Sequence, residues 1–295
     1  KGGGGEEEGD GNEGENDKLE KEEEEQAKKE DEVPDGLLTF SKDINCRKVY
    51  VFLQQTVAAL SPGNPELGLK LYLQIANSAD RCALAASRSG SKEGPEFSAV
   101  AYEIMAQAFL LYEDDVSDSK AQQRTIVAMV GTLLACRTFE RDDYEALITK
   151  TAQYAAKLLK KTDQCKMVTL CSHLFFTGAE GDPSAVRSHP QRVLECLQRA
   201  LKIADACSMA SPANVQLFVD ILDHYVFYYE RKNPVITDKF ISGLVALIQE
   251  HMGNIGFDSS AAVAEARAHF SQVIRYIKQK KIDSDTAEWF APIVC

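Results

Sequence analysis

Hydrophobic residues recur every three or four positions along most of the chain after residue 42, whereas the alternation typical of strands is nearly absent. This spacing predicts ten helices, near residues 43–61, 64–86, 97–112, 119–139, 142–161, 163–177, 190–208, 212–231, 234–252 and 259–281. Helices of about 20 residues joined by short connections run antiparallel to their neighbours. The pattern therefore predicts an all-α fold, an α-solenoid of stacked helix pairs over residues 36–295.

Several predicted helix ends coincide with residues that commonly begin or end helices. Four starts carry a capping box, or a cap residue followed by proline: Ser119–Gln122, Asp142–Glu145, Ser211–Pro212 and Asn233–Pro234. Gly178 and Gly253 stand where two helices should end, because glycine readily takes the backbone conformation that closes a helix. The longest connection, 178–189, is predicted to be a surface loop.

An antiparallel stack places alternate helices in opposite walls, and one predicted wall carries aromatic rings among polar residues. This wall contains the predicted helices 64–86, 119–139, 163–177, 212–231 and 259–281. One stripe of helix 163–177 consists of Lys166, Thr169, His173 and Phe176. Phe227 interrupts a polar stripe formed by Gln216, Asp220, Asp223 and Glu230. A ring on a polar stripe is typical of a partner surface, but a neighbouring helix could equally cover it.

Composition divides the chain into two parts. Residues 1–35 hold 16 acidic and 5 basic residues and almost no apolar ones, so they cannot bury enough surface to offset the entropy of ordering, and disorder is predicted. The whole chain carries a net charge of −12, most of it in this segment, so the remainder is nearly neutral. Neither part offers the basic field that nucleic acid or anionic lipid would require.

Two further observations concern the membrane and the redox environment. The sequence contains no apolar run of 18 residues, so no segment is predicted to insert directly into a membrane. Most of the eight cysteines stand singly among apolar residues, as small hydrophobic side chains do, and this usage indicates a reducing compartment.

The stretch FLLYEDDVSDSKAQ, residues 109–122, raises the question of an enzyme. Asp114, Asp115 and Asp118 match the DDxxD pattern with which all-helical diphosphate enzymes bind Mg²⁺. Such enzymes also need a second acidic cluster and cations for the diphosphate, and neither follows here. The serines beside Asp118 indicate instead that one helix ends and another begins, with Asp118 at the helix start.

The acidic corner has a basic counterpart in the sequence AAKLLKK. Lys157, Lys160 and Lys161 are predicted to lie at the end of helix 142–161, which runs in the same direction as helix 97–112. Both ends therefore share one edge of the stack with Glu113, Asp114 and Asp115. The pattern leaves three possibilities: an internal bridge, a solvated edge, or a contact with a second copy of the chain.

No catalytic or metal-binding constellation is evident, and no cofactor is predicted. Cys165, Cys171 and His173 lack a standard zinc spacing. Residues two positions apart on a helix point away from each other, so Cys171 and His173 form a poor nucleophile pair.

Several long segments resemble, in order, the C-terminal region of the large α-solenoid subunit of retromer. They are VAYEIMAQAFLLYEDDVSDSKAQ (100–122), AAKLLKKTDQC (155–165), CSHLFFTG (171–178), RVLECLQRALKIADAC (192–207) and NVQLFVDILDHYVFYYE (214–230). The similarity extends from about residue 45 to 295, and the acidic segment departs from the pattern of the animal members and resembles a lineage-specific insertion.

The resemblance implies a HEAT-like solenoid and a scaffold without catalysis. It implies an endosomal coat, on the cytosolic face of endosomes, that recycles transmembrane cargo to the Golgi or plasma membrane. The expected partners are the small retromer subunit, which has a metallophosphoesterase fold, a second copy of the chain, and the actin-regulating WASH complex.

The resemblance also implies roles for individual residues. His173 matches a histidine associated with binding of the small subunit, and Asp118 matches an aspartate linked to WASH recruitment. Glu113, Asp114 and Asp115, with Lys157, Lys160 and Lys161, match the two charge clusters of a homodimer contact. The addition of Lys166, Thr169, Phe176 and Phe227 to the small-subunit surface rests on helical spacing alone. An all-α diphosphate enzyme and an unrelated solenoid adaptor are the alternatives.

Overall fold

A computed structural model of the chain describes residues 45–90, 94–176, 188–255 and 260–295, together with Gly2 and Lys92. The segment 1–35, predicted to be disordered, lies outside these residues except for Gly2, and so does Gly178. The chain divides into two compact units, Lys1–Val49 and Tyr50–Cys295. The packing of helices described below belongs to the second unit.

The described residues form α-helices, two short 3₁₀ helices and no strand. The α-helices are α1 (Cys46–Leu60), α2 (Pro65–Arg88), α3 (Gly94–Asp115), α4 (Ser119–Ala135), α5 (Arg141–Lys157), α6 (Lys161–Cys171), α7 (Pro190–Ser208), α8 (Val215–Glu230), α9 (Asp238–Asn254), α10 (Ala261–Lys280) and α11 (Ala287–Phe290). The 3₁₀ helices are Ser172–Phe175 and Pro212–Asn214. The all-α prediction is confirmed, because each of the ten predicted helices overlaps one of α1 to α10.

The helices stack as antiparallel pairs, α2 on α3, α4 on α5, α6 on α7 and α8 on α9. In addition, α2 contacts α4, α4 contacts α6, α6 contacts α8 and α8 contacts α10. These five helices are the predicted wall, which is called the even wall below. Large rings fill the space between the pairs, among them Phe109, Phe175, Phe218, Tyr225 and Tyr228, each at most 1% exposed. None of the described helices is both long and apolar enough to cross a membrane.

A buried carboxylate on α2 forms hydrogen bonds with the connection between α4 and α5. Asp80 is 2% exposed. It accepts hydrogen bonds from the backbone N–H groups of Arg137 and Thr138, at 2.9 and 2.8 Å, and from the Thr138 hydroxyl at 2.7 Å. Backbone groups in a turn between helices have no partners in a helical ladder, so a side chain from a neighbouring repeat satisfies them here.

Three of the four predicted helix starts are wrong, and the fourth, Ser211–Pro212, begins a 3₁₀ helix that is followed by α8 at Val215. The cap of α4 is Asp118 rather than Ser119, and its carboxylate accepts a hydrogen bond from the Ala121 N–H at 2.8 Å. The cap position of α5 is Glu140, two residues before the predicted Asp142. Pro234 lies in a turn, and α9 begins only at Asp238. The carboxylate of Asp118 caps α4 in place of the serine hydroxyl.

The predicted helix 142–161 also ends earlier than expected. α5 ends at Lys157, where Leu158 takes an extended backbone conformation with a ψ of 135°. A new helix, α6, begins at Lys161. The Leu158 side chain turns inward and is 4% exposed, so burial of this residue breaks the run AAKLLKK into two helices.

Candidate functional site

Two grooves flank α8 on the even wall. The groove between α6 and α8 has a volume of about 300 Å³, and Lys166, Leu170, Asp220 and His224 are among the residues that line it. The groove between α8 and α10 has a volume of about 410 Å³. It is lined by Asp223, Val226, Phe227, Glu230, His269, Gln272, Val273 and Tyr276. The half-buried stripe of α8 therefore forms a ridge between two grooves.

An aromatic cluster at the end of α6 meets this ridge. The ring centroid of His173 lies 5.0 Å from that of Phe227, 5.0 Å from that of His224 and 5.4 Å from that of Tyr228. Phe176 contacts Tyr228, with ring centroids 5.2 Å apart. His173, Phe176 and Phe227 thus form one continuous cluster, rather than two separate rings one repeat apart.

The cluster forms because α6 is shorter than the sequence pattern predicts. The α-helix ends at Cys171, and the chain continues as the 3₁₀ helix Ser172–Phe175. Ser172 Oγ lies 2.8 Å from the Tyr228 hydroxyl, and the Tyr144 hydroxyl donates to the Leu174 carbonyl at 3.1 Å. The first contact holds the 3₁₀ helix against α8, and the second ties it to α5, where Tyr144 lies. Together they bring the half-buried His173 ring onto α8.

The prediction that four residues share one exposed helix face is therefore wrong in part. Lys166 is exposed and lines the groove between α6 and α8. Thr169 is only 3% exposed, and its hydroxyl donates to the Cys165 carbonyl at 2.9 Å. His173 and Phe176 lie beyond the end of the α-helix. A neighbouring helix covers part of the stripe, which was the alternative interpretation.

Burial, assisted by the nearby charges of His224 and Arg231, lowers the pKa of His173 to about 4. The pKa of a histidine falls on burial because a charged imidazole loses its hydration. The ring is therefore neutral at pH 7 and acts as an aromatic surface.

This shift predicts a measurable dependence of stability on pH. In the unfolded chain His173 becomes protonated below about pH 6.5, whereas in the folded chain it stays neutral until about pH 4. Between these two pH values the unfolded state binds more protons, so the free energy of unfolding falls as the pH drops. The loss is up to about 3 kcal/mol for this group. Chemical denaturation between pH 7 and 4 should show it. His173→Gln should show a smaller decrease than the wild type, whereas equal decreases would contradict the assignment.

A second set of polar contacts joins α8 to α10. His269 Nε2 lies 2.7 Å from Asp223 Oδ2, and Tyr276 donates to Glu230 Oε2 at 2.7 Å. Lys280 also pairs with Glu230, at 2.8 Å. Burial raises the pKa of Asp223, and the adjacent His269 opposes this shift. The α10 partners are not among the predicted site residues, although the seven-residue spacing of 223 and 230 is repeated by 269 and 276.

The acidic corner lies at the end of α3, beside α5. The Tyr154 hydroxyl donates to Glu113 Oε1 at 2.6 Å, and Lys150 pairs with the same oxygen at 3.1 Å. The hydrogen bond from Tyr154 and the charge of Lys150 lower the pKa of Glu113. Glu113 therefore forms the internal bridge, through Lys150 rather than through any of the three predicted lysines. Asp114 and Asp115 are exposed.

The three lysines lie around the break between α5 and α6. Lys157 is exposed at the end of α5 and lines a groove of about 290 Å³ with Arg192 and Arg199. Lys160 lies 3.7 Å from Asp163, and Lys161 donates to Gln164 at 3.1 Å. The prediction that all three end one helix is wrong, because Lys160 occupies the cap position of α6 and Lys161 is the first residue of that helix.

The DDxxD residues do not share a helix face. Asp114 and Asp115 end α3, whereas Asp118 caps α4 with its carboxylate. Among the residues that the structure describes, no group of three His, Cys, Asp or Glu side chains is arranged to hold a metal ion.

The sequence was compared with models of known protein families and with curated proteins. The family model described as vacuolar protein sorting-associated protein 35 matches residues 14–251. The chain belongs to the vacuolar protein sorting-associated protein 35 family. This finding confirms the resemblance to the large subunit of retromer and excludes an unrelated adaptor.

Similar members of the vacuolar protein sorting-associated protein 35 family occur in plants and yeast. The chain is 39% identical over 239 residues to protein 35B of Arabidopsis thaliana, covering 79% of this chain and 28% of that protein. It is 41% identical over 221 residues to protein 35 of Schizosaccharomyces pombe, covering 74% of this chain and 25% of that protein. The chain thus spans about a quarter of the length of these relatives.

Proposed function

We propose that the chain is part of a non-catalytic scaffold in the endosomal retromer coat, and that its even wall binds the small metallophosphoesterase-fold subunit. The observation that carries this proposal is the α8 ridge, which combines the His173–Phe227 contact with a groove on either side. In this proposal the coat lies on the cytosolic face of endosomes and retrieves cargo. The scaffold does not insert into the membrane itself.

The ridge has the properties of a preorganised partner surface. Aromatic side chains bury a large area at low conformational cost, and here Phe227, His173 and Tyr228 already hold one another in place. The polar bridges between α8 and α10 fix the groove walls. A partner that filled both grooves would exclude water from these contacts, which is the usual setting of interface residues with large energetic effects.

Titration calorimetry of the chain with the purified small retromer subunit tests this proposal. We expect saturable binding with one small subunit per chain and a negative heat-capacity change, because apolar surface would be buried. A metallophosphoesterase-fold protein from outside retromer serves as the control and should give no binding heat. Absence of binding at concentrations on the order of 0.1 mM would contradict the proposal.

We also propose that the edge at which α3, α5 and α7 end, called the charged edge below, contacts a second copy of the chain. Support comes from exposed acids, Asp114 and Asp115, beside the exposed Lys157 and Lys160. In a two-fold contact the acids of one copy would face the lysines of the other. Glu113, Lys160 and Lys161 contribute less directly than Lys157, since each already has an internal partner. We further propose that Asp118, at the start of α4, takes part in recruitment of the WASH complex.

A further inference from the structure

We propose that two exposed apolar side chains, Leu159 and Met209, form the centre of the contact between copies at the charged edge. This inference rests on the proposed self-association and specifies what holds it together. Leu159 is 87% exposed and Met209 is 88% exposed. Among the large hydrophobic residues of the described ranges, these are the two highest values, and both residues lie in connections between helices.

Backbone geometry forces Leu159 outward. Leu158 and Leu159 are adjacent in the break between α5 and α6, and Leu158 is only 4% exposed. Successive side chains of an extended segment point in opposite directions, so burial of Leu158 directs Leu159 into solvent. Met209 occupies the corresponding place after α7, where the helix ends at Ser208.

Contacts between α5 and α7 show that Leu159 and Met209 lie on the same edge. Arg192, near the start of α7, contacts Glu145 at 3.2 Å and the Thr149 hydroxyl at 2.8 Å, both near the start of α5. The two helices therefore run in the same direction and begin side by side. Farther along, Lys157 and Arg199 line a common groove. Their C-terminal ends thus lie on one edge, and so do the turns that follow.

The charges around Leu159 favour a second copy of the chain as the occupant. Lys157 precedes Leu159 by two residues and Lys160 follows it directly, and both lysines are exposed. Asp114 and Asp115 lie at the end of the neighbouring α3, which contacts α5 through Glu113. A patch that carries both signs in this order is complementary to itself after a two-fold rotation. Such a contact would bury Leu159 between oppositely charged residues of both copies.

Apolar burial is needed because exposed ion pairs contribute little. Lys160 and Glu113 each have an internal ionic partner already, and water and salt screen the remaining charges. Burial of exposed leucine and methionine side chains supplies a driving force that salt does not screen. In this arrangement the charges set the orientation of the two copies, and the apolar residues hold them together.

Sedimentation equilibrium of the full 295-residue chain tests this inference, with Leu159→Ser and Met209→Ser as the test variants. We expect each to weaken self-association about tenfold or more, with an unchanged melting temperature, because neither side chain packs in the free chain. Ile282→Ser is the matched control. Ile282 is 79% exposed, but it follows α10 on the opposite edge, so this variant should associate like the wild type.

A charge-reversal pair separates failure of this inference from failure of the proposed contact. Lys157→Glu should weaken self-association, and mixing it with Asp114→Lys should restore mixed dimers. If the charge variants behave in this way but Leu159→Ser and Met209→Ser associate like the wild type, the role of the two apolar residues is contradicted. The proposed contact at the charged edge is then still supported. If the wild-type chain remains a monomer at concentrations on the order of 1 mM, both are overturned.

Discussion

Replacing Asp80 by alanine should lower the melting temperature by roughly 6–12 °C. The side chain accepts hydrogen bonds from two backbone N–H groups and one hydroxyl in the connection between α4 and α5. Hydrogen bonds to a charged acceptor contribute about 1.5–3 kcal/mol each, and unpaired buried donors add a penalty, so a loss of about 3 kcal/mol is a conservative expectation. Differential scanning calorimetry measures the shift.

Two variants sharpen this experiment. Asp80→Asn keeps an acceptor oxygen in place and should lose roughly half as much stability, because the charge is removed but one hydrogen bond remains. Asp114→Ala removes an exposed carboxylate and should melt like the wild type. In Asp80→Ala, amide hydrogen exchange should accelerate first at Arg137 and Thr138. Unchanged exchange there, or a melting temperature within about 2 °C of the wild type, would show that the carboxylate is not the fastening contact.

Ten of the eleven described α-helices, and their order, were predictable because amphipathic periodicity is a local property, whereas the four-residue α11 is too short to show it. Ends of helices were less predictable, as the break after Lys157 shows. The run AAKLLKK keeps a helical pattern, and no cap residue interrupts it. The structure satisfies the last carbonyl groups of α5 from the next helix, since the Gln164 amide donates to the Ala156 carbonyl. Such a contact between two helices cannot be predicted from the spacing of hydrophobic residues within either helix.

The even wall was predictable, but the contacts on it were not. Alternation of antiparallel helices correctly placed α6, α8 and α10 together. Contact between His173 and Phe227 depends on the 3₁₀ helix after Cys171 and on the register of α6 against α8. Neither can be derived from residue spacing. For the same reason, residue spacing did not predict the ion pair between Glu113 and Lys150, which are 37 positions apart and lie in separate helices.

Phe227 offers the sharpest test of the proposed surface for the small subunit. Its ring meets His173 at its edge, lies 3.6 Å from the Arg231 guanidinium carbon and lines the groove between α8 and α10. The ring is half-buried in the free chain, so a partner would complete its burial. His173 is a less specific probe, because its replacement disturbs three ring contacts within the chain and should lower stability as well as affinity.

Phe227→Ala should therefore weaken binding of the small subunit by about tenfold or more, because truncating a buried aromatic anchor often costs about 2 kcal/mol. Phe240→Ala is the matched control. Phe240 is also half-buried and stacks on a tyrosine, with ring centroids 5.9 Å apart, but it lies on α9, outside the even wall. Both variants should lose a similar small amount of stability, and only Phe227→Ala should lose affinity in titration calorimetry. Wild-type affinity in both variants would contradict the proposed surface and point to the opposite wall, whereas equal losses of affinity would indicate a general effect of destabilisation.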